Sequence, residues 1–417
     1  MVTNTECQDA GRKSPAGVAL VLALLPAMIG LIAVIAPRSA QAGEPARSPS
    51  RTAVPGVGGL IALRPDGSVF ATVSGGMVRQ WNTATGRWFG KPVSGLGGTV
   101  HAIEFSSDGR QLAVADDGGV SLWDPATGQP AGPPLTGHVG PVRSVVFSST
   151  GRMATAGDDG TVRLWDPVTG RLLHTATGRP GGVRSVVFSR DGRRLAAAGT
   201  DNTVRLWEAD TLRPVGETLT VRPGPVNAIS FSPDGRLLAV SGGNDVVRFW
   251  SPATGEPAGA PIVAGSGPVY ALTFSRGRKL LATSSGGDHT VRLWNTVTRS
   301  PAGAPLVGHT APVRALRFGP NGRLLATGSD DGTVRLWDTD TGIPEGAPLT
   351  GHRGQVWSLR ITRDGGRLIT AGADDRVRLW SIPPRNPAGA GRPGRPPARS
   401  WSQAGAQHEQ AAADEFR

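Results

Sequence analysis

Residues 308–338 read Gly308-His309-Thr310-Ala311-Pro312-Val313-Arg314-Ala315-Leu316-Arg317-Phe318-Gly319-Pro320-Asn321-Gly322-Arg323-Leu324-Leu325-Ala326-Thr327-Gly328-Ser329-Asp330-Asp331-Gly332-Thr333-Val334-Arg335-Leu336-Trp337-Asp338. Three short apolar runs are separated here by Asn321-Gly322 and Asp330-Asp331-Gly332. Asn-Gly and Asp-Gly turns match the right-handed twist of antiparallel strands, so the stretch predicts a meander of three strands. A fourth, weaker strand is expected over Ile343 to Leu349. The unit recurs. Trp81, Trp123, Trp165, Trp207, Trp250, Trp294, Trp337 and Trp380 follow one another at intervals of 42, 42, 42, 43, 44, 43 and 43 residues. A fixed period of this length marks a repeat architecture.

Composition agrees. The 417-residue chain holds 60 Gly and 35 Pro, which excludes helical bundles and coiled coils, because Gly costs about 1 and Pro about 3 kcal/mol in a helix interior. Short apolar bursts between turn residues give an all-β signature. The formal net charge of +12 comes from Arg; Lys13, Lys91 and Lys279 are the only lysines. These arginines are scattered along the chain, as a GC-rich bacterial coding composition would scatter them. A nucleic-acid footprint would gather them on one face, and the distribution argues against such a partner. The one Cys, Cys7, permits no intrachain disulfide.

The unit resembles the WD-repeat (Trp-Asp) β-propeller family. Trp123-Asp124, Trp165-Asp166 and Trp337-Asp338 carry the Trp-Asp pair, and His138, His309 and His352 follow Gly as in the family's Gly-His start. The resemblance covers roughly 57–381 and implies four-stranded antiparallel blades stacked around an axis, since a lone sheet covers neither of its faces. Eight Trp-ending units predict eight blades. Seven, from Trp88 to Ser381 with Leu60 to Trp81 left over, is the alternative. Because Pro383 and Pro384 make a poor strand, the outer strand of the last blade is expected from residues 43–56, around Thr52 to Val54.

The resemblance also implies a structural tetrad within the blade. It maps onto His138, Thr155, Asp159 and Trp165; onto His309, Thr327, Asp331 and Trp337; and onto His352, Thr370, Asp374 and Trp380. A His with Asp and Thr looks like a catalytic set, but recurrence at one offset in three units predicts a structural role.

Residues 1–42 read as a signal peptide or an N-terminal membrane anchor. Arg12 and Lys13 precede an uncharged run from Ser14 to Pro37, and Ala40-Gln41-Ala42 suits cleavage after Ala42. The chain is thus expected to be exported to the cell envelope or secreted, the alternative being a single-pass anchor, with membrane contact through this segment only. Residues 382–417, rich in Pro, Gly, Ala and Arg, are expected to be disordered.

No P-loop, His-Glu-x-x-His, G-x-S-x-G or Cys/His metal cluster occurs, so no catalytic residue, cofactor or metal is assigned. Comparing units at the residue after the first Val of the innermost strand gives His101, Arg143, Arg184, Asn227, Tyr270, Arg314 and Trp357. The backbone requirement there is common to all units, which leaves the side chain free for recognition. In propellers the position resembles the rim of the narrow face. Three Arg, the sole Tyr and a Trp outside the repeating frame are residue types enriched at binding hot spots. The expected function is a monomeric, non-catalytic scaffold docking a protein or an acidic peptide there. The alternative is a propeller enzyme, of hydrolase or lactonase type, working in the central channel.

Overall fold

The computed structural model describes residues 52–55, 60–177, 181–222 and 224–383, the first of these as backbone only. The expectations for residues 1–42 and for the tail beyond Pro383 lie outside the described residues. Among the described residues the chain is all-β, with eight antiparallel sheets.

In the quoted unit the strands are Val313–Phe318, Leu324–Ser329 and Val334–Asp338. The middle strand is buried along its whole length, because it is flanked by strands on both edges and by sheets on both faces. Ala326, Thr327 and Gly328 keep it thin enough for that. The turn to the next strand closes at Gly332, whose φ of 75° suits a residue without Cβ. The outermost strand is interrupted: Val334 pairs with Leu349 and Trp337 with Pro344 as isolated bridges. Pro130, Pro214, Pro257 and Pro301 sit opposite Trp123, Trp207, Trp250 and Trp294 in the same way. Proline has no N–H to give to a ladder and is tolerated at an edge, which is why the fourth strand is short.

The first strands of consecutive sheets touch one another all the way round, including Ile61–Leu63 against Val356–Ile361. They therefore line the axis. Between the sheets lie eight apolar clusters, each shared by two neighbours. Trp337 and Leu325 pack with Ala282, Leu293 and Leu306 of the preceding sheet. Ile61, Phe70 and Trp81 of the first sheet pack with Ile369, Val377 and Leu379 of the last, which closes the ring. Burying a Leu such as Leu325 contributes about 1.5–3 kcal/mol, so the closed ring gains at every joint. The last sheet takes its outer strand from the other end of the chain: Thr52–Pro55 runs antiparallel to Arg376–Ser381, with Thr52 opposite Leu379 and Pro55 opposite Arg376.

Candidate functional site

The seven rim positions share a backbone peculiarity. In five sheets the ladder between first and second strands skips a residue, between Val142 and Ser144, Val183 and Ser185, Val226 and Ala228, Val313 and Ala315, and Val356 and Ser358. The residues skipped are Arg143, Arg184, Asn227, Arg314 and Trp357. A β-bulge frees a residue from pairing and re-aims its side chain. His101 and Tyr270 stand just ahead of the paired strands Ala102–Phe105 and Leu272–Phe274.

These side chains reach across blades. Arg143 donates to Asp158 (Nε–Oδ1 2.9 Å) and to His101 Nδ1 of the preceding blade at 3.1 Å. His101 Nε2 lies 2.6 Å from Asp117. Arg314 donates to Asp330 at 2.9 Å and stacks over the Tyr270 ring, 3.8 Å from its centroid. Asn227 Nδ2 donates to the carbonyls of Gly242 and Val269 at 2.9 and 3.2 Å. Trp357 is 42% exposed, and its indole N–H donates to Gln355 Oε1 at 2.8 Å. Arg184 makes no ion pair within 4 Å among the described residues. Tyr270, Arg314 and Trp357, from three successive blades, line one groove of about 240 Å³, together with Arg317 and Arg360.

Sequence comparison missed the carboxylates. In Asp158-Asp159 and Asp330-Asp331 the first residue faces the rim Arg and the second the tetrad His. The Arg143 guanidinium holds the Asp158 carboxyl below the usual carboxylate range. Two of the three rim Arg charges are therefore already answered within the blade. Glu104, Arg317 and Arg360 were also missed. They lie three residues beyond the rim position, where other units carry Val146, Val187, Ser230 and Thr273, and the same unit-by-unit comparison would have exposed them.

The structure brings all three tetrads together. His138 Nδ1 is 3.0 Å from Asp159 and Nε2 2.8 Å from Thr155 Oγ1, to which Trp165 Nε1 donates at 2.9 Å. The corresponding distances are 2.8, 2.7 and 3.0 Å for His309, Asp331, Thr327 and Trp337. They are 2.9, 2.8 and 3.0 Å for His352, Asp374, Thr370 and Trp380. With Trp165 and Trp337 as N–H donors, the Thr hydroxyl accepts from indole and donates to imidazole Nε2. The neutral ring then donates from Nδ1 to the carboxylate, so each polar atom is matched. In the last blade the buried Arg378 adds an ion pair to Asp374 at 2.7 Å and donates to the Gly351 carbonyl at 2.6 Å. Its counterparts Arg163 and Arg292 reach the carbonyls of Gly137 and Ala264, a packing role common to the units.

Burial raises the proton affinity of Asp374, but hydrogen bonds from His352 and the Arg353 N–H, with the charge of Arg378, outweigh it and hold the group at about 2. Asp331 is likewise held well below the usual range, burial being overcome by His309 and Thr333. His138 is pushed down from 6.5 by burial, against the pull of Asp159. For each of these groups the unfolded chain binds more protons between the two pKa values, so stability falls as pH falls. The loss through His138 begins below pH 6.5. The Asp374 contribution, on the order of 2 kcal/mol, is complete above about pH 5 and is lost as pH falls towards 2, and that of Asp331 is lost at still lower pH. Urea midpoints at pH 7, 5 and 3 are expected to fall in that order; a midpoint higher at pH 5 than at pH 7 would contradict the assignment.

Among the described residues, no group of three or more His, Cys, Asp or Glu is placed to hold a metal, and no helix is long and apolar enough to cross a membrane. The comparison with curated proteins found no match. Among solved structures the chain is similar to the computationally designed Ika8 protein. The TM-score is 0.68 at 23% identity, over 78% of this chain and 98% of that one, which supports the fold. The profile of the family described as "WD domain, G-beta repeat" matches seven segments, 90–124, 132–166, 170–208, 216–251, 261–295, 303–338 and 345–381. The sheet it leaves unmatched is the first, Ile61–Leu63, Val69–Ser74 and Met77–Asn82, where Gly75 replaces the turn Asp. With the matched segments spanning more than half of its residues, the chain belongs to the WD40 repeat family.

Proposed function

We propose that the protein is a monomeric, non-catalytic scaffold that docks a protein or peptide on the bulge-residue rim, with the groove of Tyr270, Arg314 and Trp357 as its anchor point. Repeats of this family generally mediate protein–protein interactions. The observation that carries the reading is the convergence of two aromatic side chains and a guanidinium from three blades on one groove. Trp, Tyr and Arg dominate binding hot spots. Trp357 offers an exposed apolar face, and Arg314 is pre-oriented by Asp330 and Tyr270, so little rotamer entropy remains to be lost on binding. Because Asp158 and Asp330 already neutralise two rim arginines, an acidic peptide would be read by Arg184 at the rim and by Arg317 and Arg360 below it. Residues 1–42 support the further proposal that docking takes place outside the cytoplasmic membrane.

Cross-linked capture from intact cells should fall at least tenfold with Tyr270→Ala, Arg314→Ala and Trp357→Ala combined, while the urea midpoint shows the variant still folded. Undiminished capture would reject this face. N-terminal sequencing of the same preparation is expected to begin at Gly43; an intact Met1 in the membrane fraction would support the anchor instead.

A further inference from the structure

Below the rim the groove is lined by two arginines with no ion pair. Arg317 and Arg360 hold the same register on neighbouring first strands, opposite Ala326 and Ile369. Both are half-buried. Among the described residues neither lies within 4 Å of a carboxylate, although ion pairs occupy Arg143 and Arg314 of the rim above. Glu104 has the equivalent register on Ala102–Phe105, opposite Ala113. Among the described residues it is the carboxylate whose charge acts on Arg317, and it too makes no ion pair there.

Three more arginines stand at the end of first strands, directly after the Ser or Thr that follows the strand: Arg190, Arg276 and Arg363. They belong to the same field. Burial, then Arg360 and Arg276, push the Arg317 guanidinium down to about 10. Burial, then Arg190 and Arg363, push Arg276 down as well. Arg190, Arg276 and Arg363 are exposed and their mutual repulsion is eased by solvent, whereas the half-buried Arg317 and Arg360 face one another with Glu104 as the opposing charge, a repulsion that costs folding free energy. The rest of the channel-lining register is uncharged, so the arrangement is not a diffuse basic surface.

We infer that the floor of this groove, where Arg317 and Arg360 lie, is a binding site for a small, multiply charged oxyanion of the pyrophosphate or short polyphosphate class. The guanidinium fork matches phosphate oxygens two at a time, and several forks around one cavity suit a ligand with more than one phosphoryl group. A cavity of about 240 Å³ lies below the roughly 300–1,000 Å³ usual for organic-ligand pockets, which selects a compact anion over a metabolite with a large organic part. The site shares Arg317 and Arg360 with the groove proposed above as the peptide anchor, so pyrophosphate and an acidic peptide would compete there, but pyrophosphate binding itself requires no docked peptide.

The test titrates the full chain with sodium pyrophosphate in a calorimeter, with orthophosphate in parallel, alongside thermal melts. Saturable one-to-one binding of pyrophosphate with a raised Tm is expected, with orthophosphate at least tenfold weaker. The Arg317→Gln/Arg360→Gln variant should lose tenfold or more in affinity while its ligand-free Tm stays level or rises, since two repelling charges are gone. Arg110→Gln, an exposed site whose side chain is 85% accessible, should change nothing. The inference is overturned by absent saturation in the unaltered protein, by equal affinity for the two anions, or by undiminished binding in the folded double variant.

Discussion

Trp337→Ala is expected to cost about 3–5 kcal/mol, the range for truncating a large buried aromatic. The indole is 1% exposed and sits in the cluster that joins its blade to the one before. Its N–H also donates to Thr327 Oγ1 at 3.0 Å. Truncation therefore opens a cavity at a joint of the ring and leaves the Thr327–His309–Asp331 chain without its inner donor. The urea midpoint reports the loss, and Trp357→Ala supplies the contrast. That indole is 42% exposed, so its removal should stay within about 0.5 kcal/mol, as surface changes do. Similar losses in the two variants would mean that the repeating Trp is not what holds adjacent blades together.

Gly255→Ala should cost about 2–4 kcal/mol. Its φ of +75° alone disfavours a side chain, by about 1–2 kcal/mol. An added Cβ would also stand 2.6 Å from Gly216 Cα and 2.7 Å from the Val215 carbonyl, backbone atoms that cannot swing away. Overpacking of this kind adds about 1–3 kcal/mol. Gly75→Ala separates the two causes, because its φ is +58° but nothing lies within 4 Å of the added carbon; only the conformational share should remain. If both variants melt alike, the close approach of the two blades at Gly216 and Gly255 contributes nothing.

Much of the architecture was legible in the residue string because one strong signal, the even spacing of buried Trp, reports a period longer than any secondary-structure element. The tetrads were legible for the same reason: His309, Thr327 and Asp331 sit at offsets repeated around His138 and His352, and recurrence separates packing from chemistry. The bulges were not. A skipped residue such as Arg143 is defined by what stands opposite it on another strand, Ala156 and Gly157 bracketing the gap, and no local pattern records that. The carboxylate partners of the rim were hidden by their position, since Asp158 and Asp330 read as ordinary turn residues. Arg317 and Arg360 were hidden by alternation: a charged residue on a half-buried strand usually points to solvent, and only the closed ring turns that side inward to a channel.

The strand at Thr52–Pro55 finds its mate at Arg376–Leu379, more than 300 residues later. Synthesis proceeds from the N-terminus, so this segment must wait, unmatched, until almost the whole chain has been made. Until then the growing protein is an arc whose first sheet bares the apolar face of Ile61, Phe70 and Trp81 while the strand Thr52–Pro55 lacks its partner edge, and contacts so distant in sequence form slowly. The complementarity that seals one arc would equally splice two unfinished ones, by the strand exchange that gives swapped dimers. A ring sealed from both ends of its chain thus favours production at low concentration, where each nascent arc meets its own tail first.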